Sequence, residues 1–578
     1  MEGNRTEWTV PAQLRRRAEE RPDDVAHRLV DVDDLTFGRW DRESTAAARG
    51  LLARGVRPGD RVLLPCSTSD WTRYAVAWAA VLKARGVAVP VSRSAGRDAV
   101  SAVWAASGAV CVVGGDLSSL PDARHLSLAD LLAAGSPEPL RDGPAPGDDA
   151  EIVYTSGTTG VPKGVVASHE NVLHALRSPR PGPIRTALHA LPPGTTVGQG
   201  LLVQPLSGRP HRTATLGGFT ADCMLAAIER QRPTDVVLVP AMAIALVTAR
   251  GAAEHDLSSV RQVRTTSAPI HPATLEALAA LFPAARIRNV YSTTECWPRR
   301  LATDFDRDRP SSLGRPSAGA QVRIVDPAGV ELPPGIPGDV QLRSDAPQRR
   351  YDGETGASTV FLRDGWTRTG DVGVVDEDGY FSLVDRNPDL VNTGGLNVST
   401  LDVEATMMDF PGVVEAAVCG VPHPVLTECV VAAVRAEIGL DLDGLLAFVR
   451  DRKGPAAPHR IVIVDDLPRT FLGKTDKKRL RDQLAEQPDG RAEPPRTPTE
   501  TYLAGLWAEA LDLDRVAATD DFLRLGGSSL TAMEVTSRAT EKLGREITVR
   551  DLLDAISLRA FAARVDAAPV REAVRSGD

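Results

Sequence analysis

A chain of 578 residues, 42% hydrophobic and 25% charged, has the composition of a soluble globular protein and the length of several domains. Its net charge of −9, with no long basic run, argues against a nucleic-acid groove. The polar start, Met1-Glu-Gly-Asn-Arg-Thr-Glu, lacks a signal-peptide core and no apolar run could span a bilayer, so a cytoplasmic protein without a membrane partner is expected. Six cysteines are scattered without C-x-x-C pairs, which predicts reduced thiols and no zinc site.

From residue 1 to 385, short β-type runs alternate with helical patterns. Arg61-Val-Leu-Leu, Trp78-Ala-Ala-Val-Leu-Lys-Ala and Gly86-Val-Ala-Val-Pro-Val read as strand, helix and strand, and Asp235-Val-Val-Leu-Val-Pro and Arg286-Ile-Arg-Asn-Val-Tyr as buried strands. The alternation predicts an α/β domain with a largely parallel sheet. Residues 386–482 read as a smaller α+β segment, with Val413-Val-Glu-Ala-Ala-Val and Glu428-Cys-Val-Val-Ala-Ala-Val as paired strands. Residues 483–497, rich in Pro and charge, read as a linker. In 498–567 the pattern turns helical: Tyr502, Leu503, Leu506, Trp507 and Leu511 fall at spacings of three and four. Residues 568–578 read as a frayed tail.

Within this frame the densest chemistry lies in Tyr154-Thr-Ser-Gly-Thr-Thr-Gly-Val-Pro-Lys-Gly164. Glycines let backbone N–H groups crowd around an anion, hydroxyls add donors, and Lys163 adds a point charge. The spacing is not that of the Walker loop. Lysine is rare in this Arg-biased chain, so one placed here suggests a task for a compact ammonium.

This string resembles the nucleotide loop of the adenylate-forming superfamily, which comprises acyl- and aryl-CoA ligases, luciferases and the adenylation domains of nonribosomal peptide synthetases. Further motifs follow in that family's order. The resemblance implies ATP bound by Thr155, Ser156, Gly157, Thr158, Thr159, Gly160 and Lys163. Asn289-Val-Tyr-Ser-Thr-Thr-Glu295 is similar to the adenine and magnesium segment: Tyr291 on the base, Thr294 on phosphate, Glu295 on Mg²⁺. Ser292 stands where the family usually has glycine. Trp366-Thr-Arg-Thr-Gly-Asp371 resembles the ribose segment, in which Asp371 accepts from the diol. Asp385-Arg-Asn-Pro-Asp389 resembles the pivot of the small subdomain, with Arg386 on the ribose and Pro388 where Asp or Lys is usual. Leu467-Pro-Arg-Thr-Phe-Leu-Gly-Lys474 resembles the C-terminal lysine motif, in which Lys474 bridges acid and ATP.

Asp520-Asp-Phe-Leu-Arg-Leu-Gly-Gly-Ser-Ser529 resembles the 4'-phosphopantetheine attachment site of a four-helix carrier domain, with Ser529 modified at a helix start. The segment Leu191-Pro-Pro-Gly-Thr-Thr-Val-Gly-Gln199 lacks the acid that amino-acid-activating domains set against the substrate ammonium. A carboxylic acid without an α-amine is therefore favoured, in a pocket drawing on Val197, Gln199, Ser267, Ala268, Thr293 and Cys296. The expected function is ATP-dependent activation of a small acid and its transfer to the chain's own carrier. A phosphopantetheinyl transferase and a separate acyl-accepting enzyme are the implied partners. An acyl- or aryl-CoA ligase with an accessory carrier, and a carrier-presenting protein with a decayed nucleotide site, are the competing readings.

Overall fold

The computed structural model describes residues 8–570, apart from 94, 96, 116–119, 121–122, 156–162, 175, 177–183, 208–210, 299–300, 317–318, 354–357, 387–388, 394–395, 424–426, 471–473, 487–493, 512, 514, 519, 521, 523–524, 526, 528, 554 and 556. These residues fall into two compact units, Met1–Pro388 with Arg469–Thr475, and Asp389–Pro468 with Asp476–Asp578.

The first unit holds three sheets. In the eight-stranded sheet, His211–Thr215, Arg185–His189, Asp235–Leu238, Gln262–Thr265 and Arg286–Tyr291 run parallel side by side. The seven-stranded sheet centres on parallel Arg61–Cys66, Val87–Ser92 and Asp149–Thr155 and closes through the antiparallel strand Lys163–Ser168. The core between them is supplied by the helix Trp71–Lys83, apolar nearly all round and buried along almost its whole length, as its lack of a polar face demands. Strands Arg61–Cys66 and Val87–Ser92 and this helix are those the sequence predicts.

The third sheet was not foreseen. Strands Ser312–Gly314, Ala320–Val325, Gly338–Ser344, Trp366–Val375 and Phe381–Arg386 pair entirely antiparallel. The connection from Trp366–Val375 to Phe381–Arg386 is a short turn in which Gly379 (φ +79°) supplies left-handed backbone, and a turn of that length can only return the chain alongside itself. This places Asp371 and Arg386 on neighbouring strands in direct register.

In the second unit, Val413–His423 and Thr427–Ala436 form the expected antiparallel pair, against which the helices Thr400–Met408 and Lys477–Glu486 pack. The C-terminal part is helical: Pro498–Leu511, Ser529–Leu543, Val549–Leu553 and Leu558–Ala567. Leu503, Leu506 and Trp507 are buried as their spacing predicts, and Trp507 meets the rings of Phe522 and Phe561 at 5.1 and 6.0 Å. No described helix is long and apolar enough to cross a membrane.

Candidate active site

In an open parallel sheet the strand carboxyl ends present loops to one edge, where ligands bind. Here that edge carries Leu191–Gln199 after the strand ending at His189, Thr266–Ala268 after Thr265, and Ser292–Glu295 after Tyr291. His189 sits in the core, its Nδ1 accepting from the Leu191 amide (3.2 Å) and its Nε2 bonded to Thr215 (3.1 Å). Burial pushes its pKa down to about 3, so it stays neutral and braces the loop that follows. Ser267 has φ +79°, unusual for a residue with a side chain, and strain held at a strand end is a common mark of a working site.

Tyr291 and Asp371 form the buried centre. The Tyr291 hydroxyl donates to Asp371 Oδ2 (2.5 Å), and its ring packs 5.2 Å from Phe381. Arg386 Nε donates to the other oxygen, Oδ1, at 2.9 Å. Asp371 is only 2% exposed, and burial raises its pKa against the opposing pull of Arg386 and Tyr291. Each oxygen retains a second acceptor site, so the carboxylate can still receive donors from a ligand. Lys474 belongs to this first unit although it lies far down the chain. Burial, followed by the charge of Arg386, lowers its pKa to about 8, while Asp371 and Glu295 pull it the other way.

The segment after Tyr291 folds into a tight turn, with the Cys296 and Trp297 amides both donating to the Thr293 carbonyl (3.2 and 3.1 Å). The Ser292 hydroxyl donates to that same carbonyl at 3.2 Å, so the side chain the family usually lacks is tied into the turn. Thr294 Oγ1 lies 2.9 Å from Thr196 Oγ1, its carbonyl accepts from Arg349 Nη1 (3.3 Å), and the Glu295 carboxylate accepts from the Tyr351 hydroxyl (3.2 Å). Thr196, Arg349 and Tyr351 are absent from the sequence reading. Thr196 could have been noticed as a second hydroxyl in a segment already singled out; Arg349 and Tyr351 carried no local signal.

Thr155 and Lys163 face each other at the ends of antiparallel strands, and the Lys163 ammonium lies 5.4 Å from the Tyr351 ring. Ser156, Gly157, Thr158, Thr159 and Gly160 lie outside the described residues, as does Pro388. Of the expected pocket residues, Val197, Ser267, Ala268 and Thr293 follow the carboxyl ends of the parallel strands. Gln199, by contrast, is turned into the core, where its Nε2 donates to the Tyr74 hydroxyl at 2.8 Å. Cys296 is buried, and burial pushes its thiol up to about 12, which leaves it protonated and inert.

Among the described residues no cluster of three or more His, Cys, Asp or Glu could hold a metal. A lone carboxylate such as Glu295 nevertheless suits Mg²⁺, which commonly takes one or two carboxylates, with substrate phosphates and water completing its shell. Ser529 is the first residue of a 15-residue helix, where N–H groups and dipole favour a phosphodiester. A Cβ on Gly527 would stand 2.3 Å from the Phe522 ring, so only glycine lets the loop pass the core on its way to that serine. The residues present fit both groups.

The α/β sheets with their ligand edge, the antiparallel sheet carrying Asp371 and the helical C-terminal part fit an ATP-dependent adenylating ligase joined to a carrier, the class to which the family matches assign the chain. The chain is matched by the sequence models of AMP-binding enzymes over residues 14–351, of the AMP-binding enzyme C-terminal domain over 402–474, and of the phosphopantetheine attachment site over 501–565, and it belongs to the AMP-binding enzyme family. It is 30% identical to phosphinothricin tripeptide synthetase PhsB of Streptomyces viridochromogenes across 96% of this chain, but spans only 49% of that protein. It is 33% identical to a feruloyl-CoA synthase of Amycolatopsis sp, over 77% of this chain and 93% of the relative. ATP-bound MatB from Rhodopseudomonas palustris superposes with a TM-score of 0.75 at 28% identity, covering 83% of this chain and 99% of MatB.

Proposed function

We propose that this ligase activates a small carboxylic acid lacking a free α-amine as its acyl-adenylate and loads it onto phosphopantetheine at its own Ser529, as a step in natural-product assembly. The observation that carries the reading is the convergence of Asp371, Arg386, Lys474 and Glu295 within one compact unit of a chain that also bears an attachment serine.

The chemistry asks for little beyond placement and charge. An oxygen of the acid attacks the α-phosphorus of ATP, the new O–P bond forms, and the bond to pyrophosphate breaks. Tyr291 lies against adenine and Asp371 with Arg386 takes the ribose diol. Thr155 to Gly160, Lys163 and Thr294 hold phosphate oxygens, and Glu295 holds Mg²⁺. The Lys474 ammonium spans the acid's carboxylate and the α-phosphate, neutralising charge that grows in the transition state. Phosphopantetheine, once a phosphopantetheinyl transferase has attached it to Ser529, would supply the thiol to which the acyl carbon bonds as its bond to AMP breaks and AMP leaves. The residues assigned to the acid pocket, Val197, Ser267, Ala268 and Thr293, carry no charge, and an ammonium among them would be left unpaired. The domain divisions that go with this reading fall at 385, 482, 497 and 567.

Likeness to a feruloyl-CoA synthase supports a second reading, in which coenzyme A is the acceptor and the carrier is accessory. Intact mass of the phosphopantetheinylated protein, after incubation with Mg·ATP and a panel of acids, decides. One added acyl mass that disappears in Ser529→Ala supports self-loading. Acyl-CoA formed faster than the loaded carrier supports the alternative.

A further inference from the structure

Arg349 is 3% exposed, in a chain that otherwise keeps most of its arginines at the surface. Its Nε donates to Asn171 Oδ1 at 3.0 Å and its Nη1 to the Thr294 carbonyl at 3.3 Å. Asn171, itself 1% exposed, donates from Nδ2 to the carbonyls of Pro347 (2.6 Å) and Trp297 (3.3 Å), fastening the end of the Thr293–Trp297 turn to the segment that carries Arg349. Glu151 and Glu295 are the acids whose charge reaches Arg349; Glu151 is buried on the strand that leads to Thr155. Two residues on, Tyr351 donates to Glu295 and takes the Lys163 ammonium over its ring, while Arg350–Tyr351 pairs in register with Val165 and Val166 on the strand that Lys163 begins. One short segment therefore touches the phosphate-loop strands and the Glu295 turn together.

We infer that Arg349 and Tyr351 are positioning residues for the metal-bound nucleotide: through the Thr294 carbonyl and the Glu295 carboxylate they fix the turn on which Mg²⁺ bound to ATP is received. This rests on the assignment of Glu295 made above. A carboxylate tied by neighbours is a better metal ligand than a mobile one, because less freedom is lost on binding.

The test is calorimetric binding of ATP to the full chain, with Mg²⁺ and with EDTA, and no acid present. The readout is the ratio of the two dissociation constants. In Arg349→Gln that ratio is expected to shrink roughly tenfold, and in Tyr351→Phe about threefold, while metal-free ATP binding stays within about twofold of the parent. Arg349→Lys, which keeps the charge but not the two-pronged geometry, is expected to resemble Arg349→Gln. An unchanged ratio, or a parallel weakening of both constants, overturns the inference. If Arg349→Gln does not fold, the mild Tyr351→Phe change decides by the same readout. Failure of the proposed function shows elsewhere, as absence of acid-dependent pyrophosphate exchange in the parent protein.

Discussion

The Tyr291–Asp371–Glu295 region and the head of the helix Ser529–Leu543 both handle phosphate on this reading, yet they are built in opposite ways. The first is cross-braced: Asp371 accepts from two side chains, Thr294 is held at its hydroxyl and its carbonyl, and Glu295 accepts from Tyr351. The second has a serine at a helix start, and among the described residues that helix packs on an apolar core that includes Trp507, Phe522 and Phe561. A site that stabilises charge developing on a substrate needs its partners fixed beforehand. A residue that a separate enzyme modifies needs only to be reachable. The contrast predicts that substitutions will separate the two functions cleanly.

The largest separation is expected from Ser529→Ala, which should abolish covalent loading while acid-dependent pyrophosphate exchange stays within about twofold, because the adenylating groups lie elsewhere. Intact mass and exchange, run on the same preparation, check it. Loss of exchange as well would mean that the two regions are not independent.

Lys474→Ala comes next, with adenylation falling on the order of 10²–10³-fold and acyl transfer from supplied acyl-adenylate largely spared. The same residue sharpens the comparison through pH. The active form is the charged one, and burial has lowered the pKa to about 8, so kcat/KM for adenylation should be full below that value and fall as pH rises through it. Lys474→Arg keeps its charge across this range, and its profile should lose that limb whatever its absolute rate. A parent profile flat to pH 9.5 would remove Lys474 from the charged role.

On the carrier side, Trp507→Ala should destabilise the helical unit by about 3–5 kcal/mol, the usual consequence of emptying a fully buried aromatic site. Faster amide exchange in Pro498–Leu511 and slower pantetheinylation would report it, with pyrophosphate exchange unaffected.

How much of this was legible in the sequence depends on how each contact is made. Tyr291, Asp371 and Arg386 end or occupy strands, and like Lys474 they stand in strings that resemble the family's motifs, so the resemblance singled them out. Their bracing was not legible. Arg349 reads as one of two adjacent arginines on a polar stretch, and its partner Asn171 is 178 residues away, a separation to which no local periodicity speaks. The bond that Gln199 makes was hidden for a related reason: its Nε2 donates inside the core to the hydroxyl of Tyr74, 125 residues earlier. The antiparallel sheet around Asp371 escaped because its strands alternate too weakly to stand out between Gly- and Pro-rich turns. Its buried positions include the polar residues Gln341, Thr367 and Asp371, which read as solvent-facing in a sequence.

The smallest predicted effect tests the bracing most finely. Thr196 stands at the first turn of the helix Thr196–Val203, capped by Thr195, whose Oγ1 accepts from the Gly198 amide at 2.9 Å. Its hydroxyl meets Thr294 Oγ1 at 2.9 Å, and either oxygen can donate. If Thr294 gives its hydrogen to a phosphate oxygen, Thr196 must donate in turn, and the pair becomes a short relay that orients one proton. Thr196→Val keeps the shape and removes that donor, while the Thr195 cap leaves the helix intact. The loss of one neutral hydrogen bond is worth about 0.5–1.5 kcal/mol, so adenylation should slow by roughly 2–12-fold. Because the bond belongs to Thr294, the deficit should vanish in a Thr294→Val background, where the double variant is no slower than Thr294→Val alone. Additive losses would instead place Thr196 in the acid pocket on its own account, and the comparison would shift from a braced turn to a wider, independently contacting site.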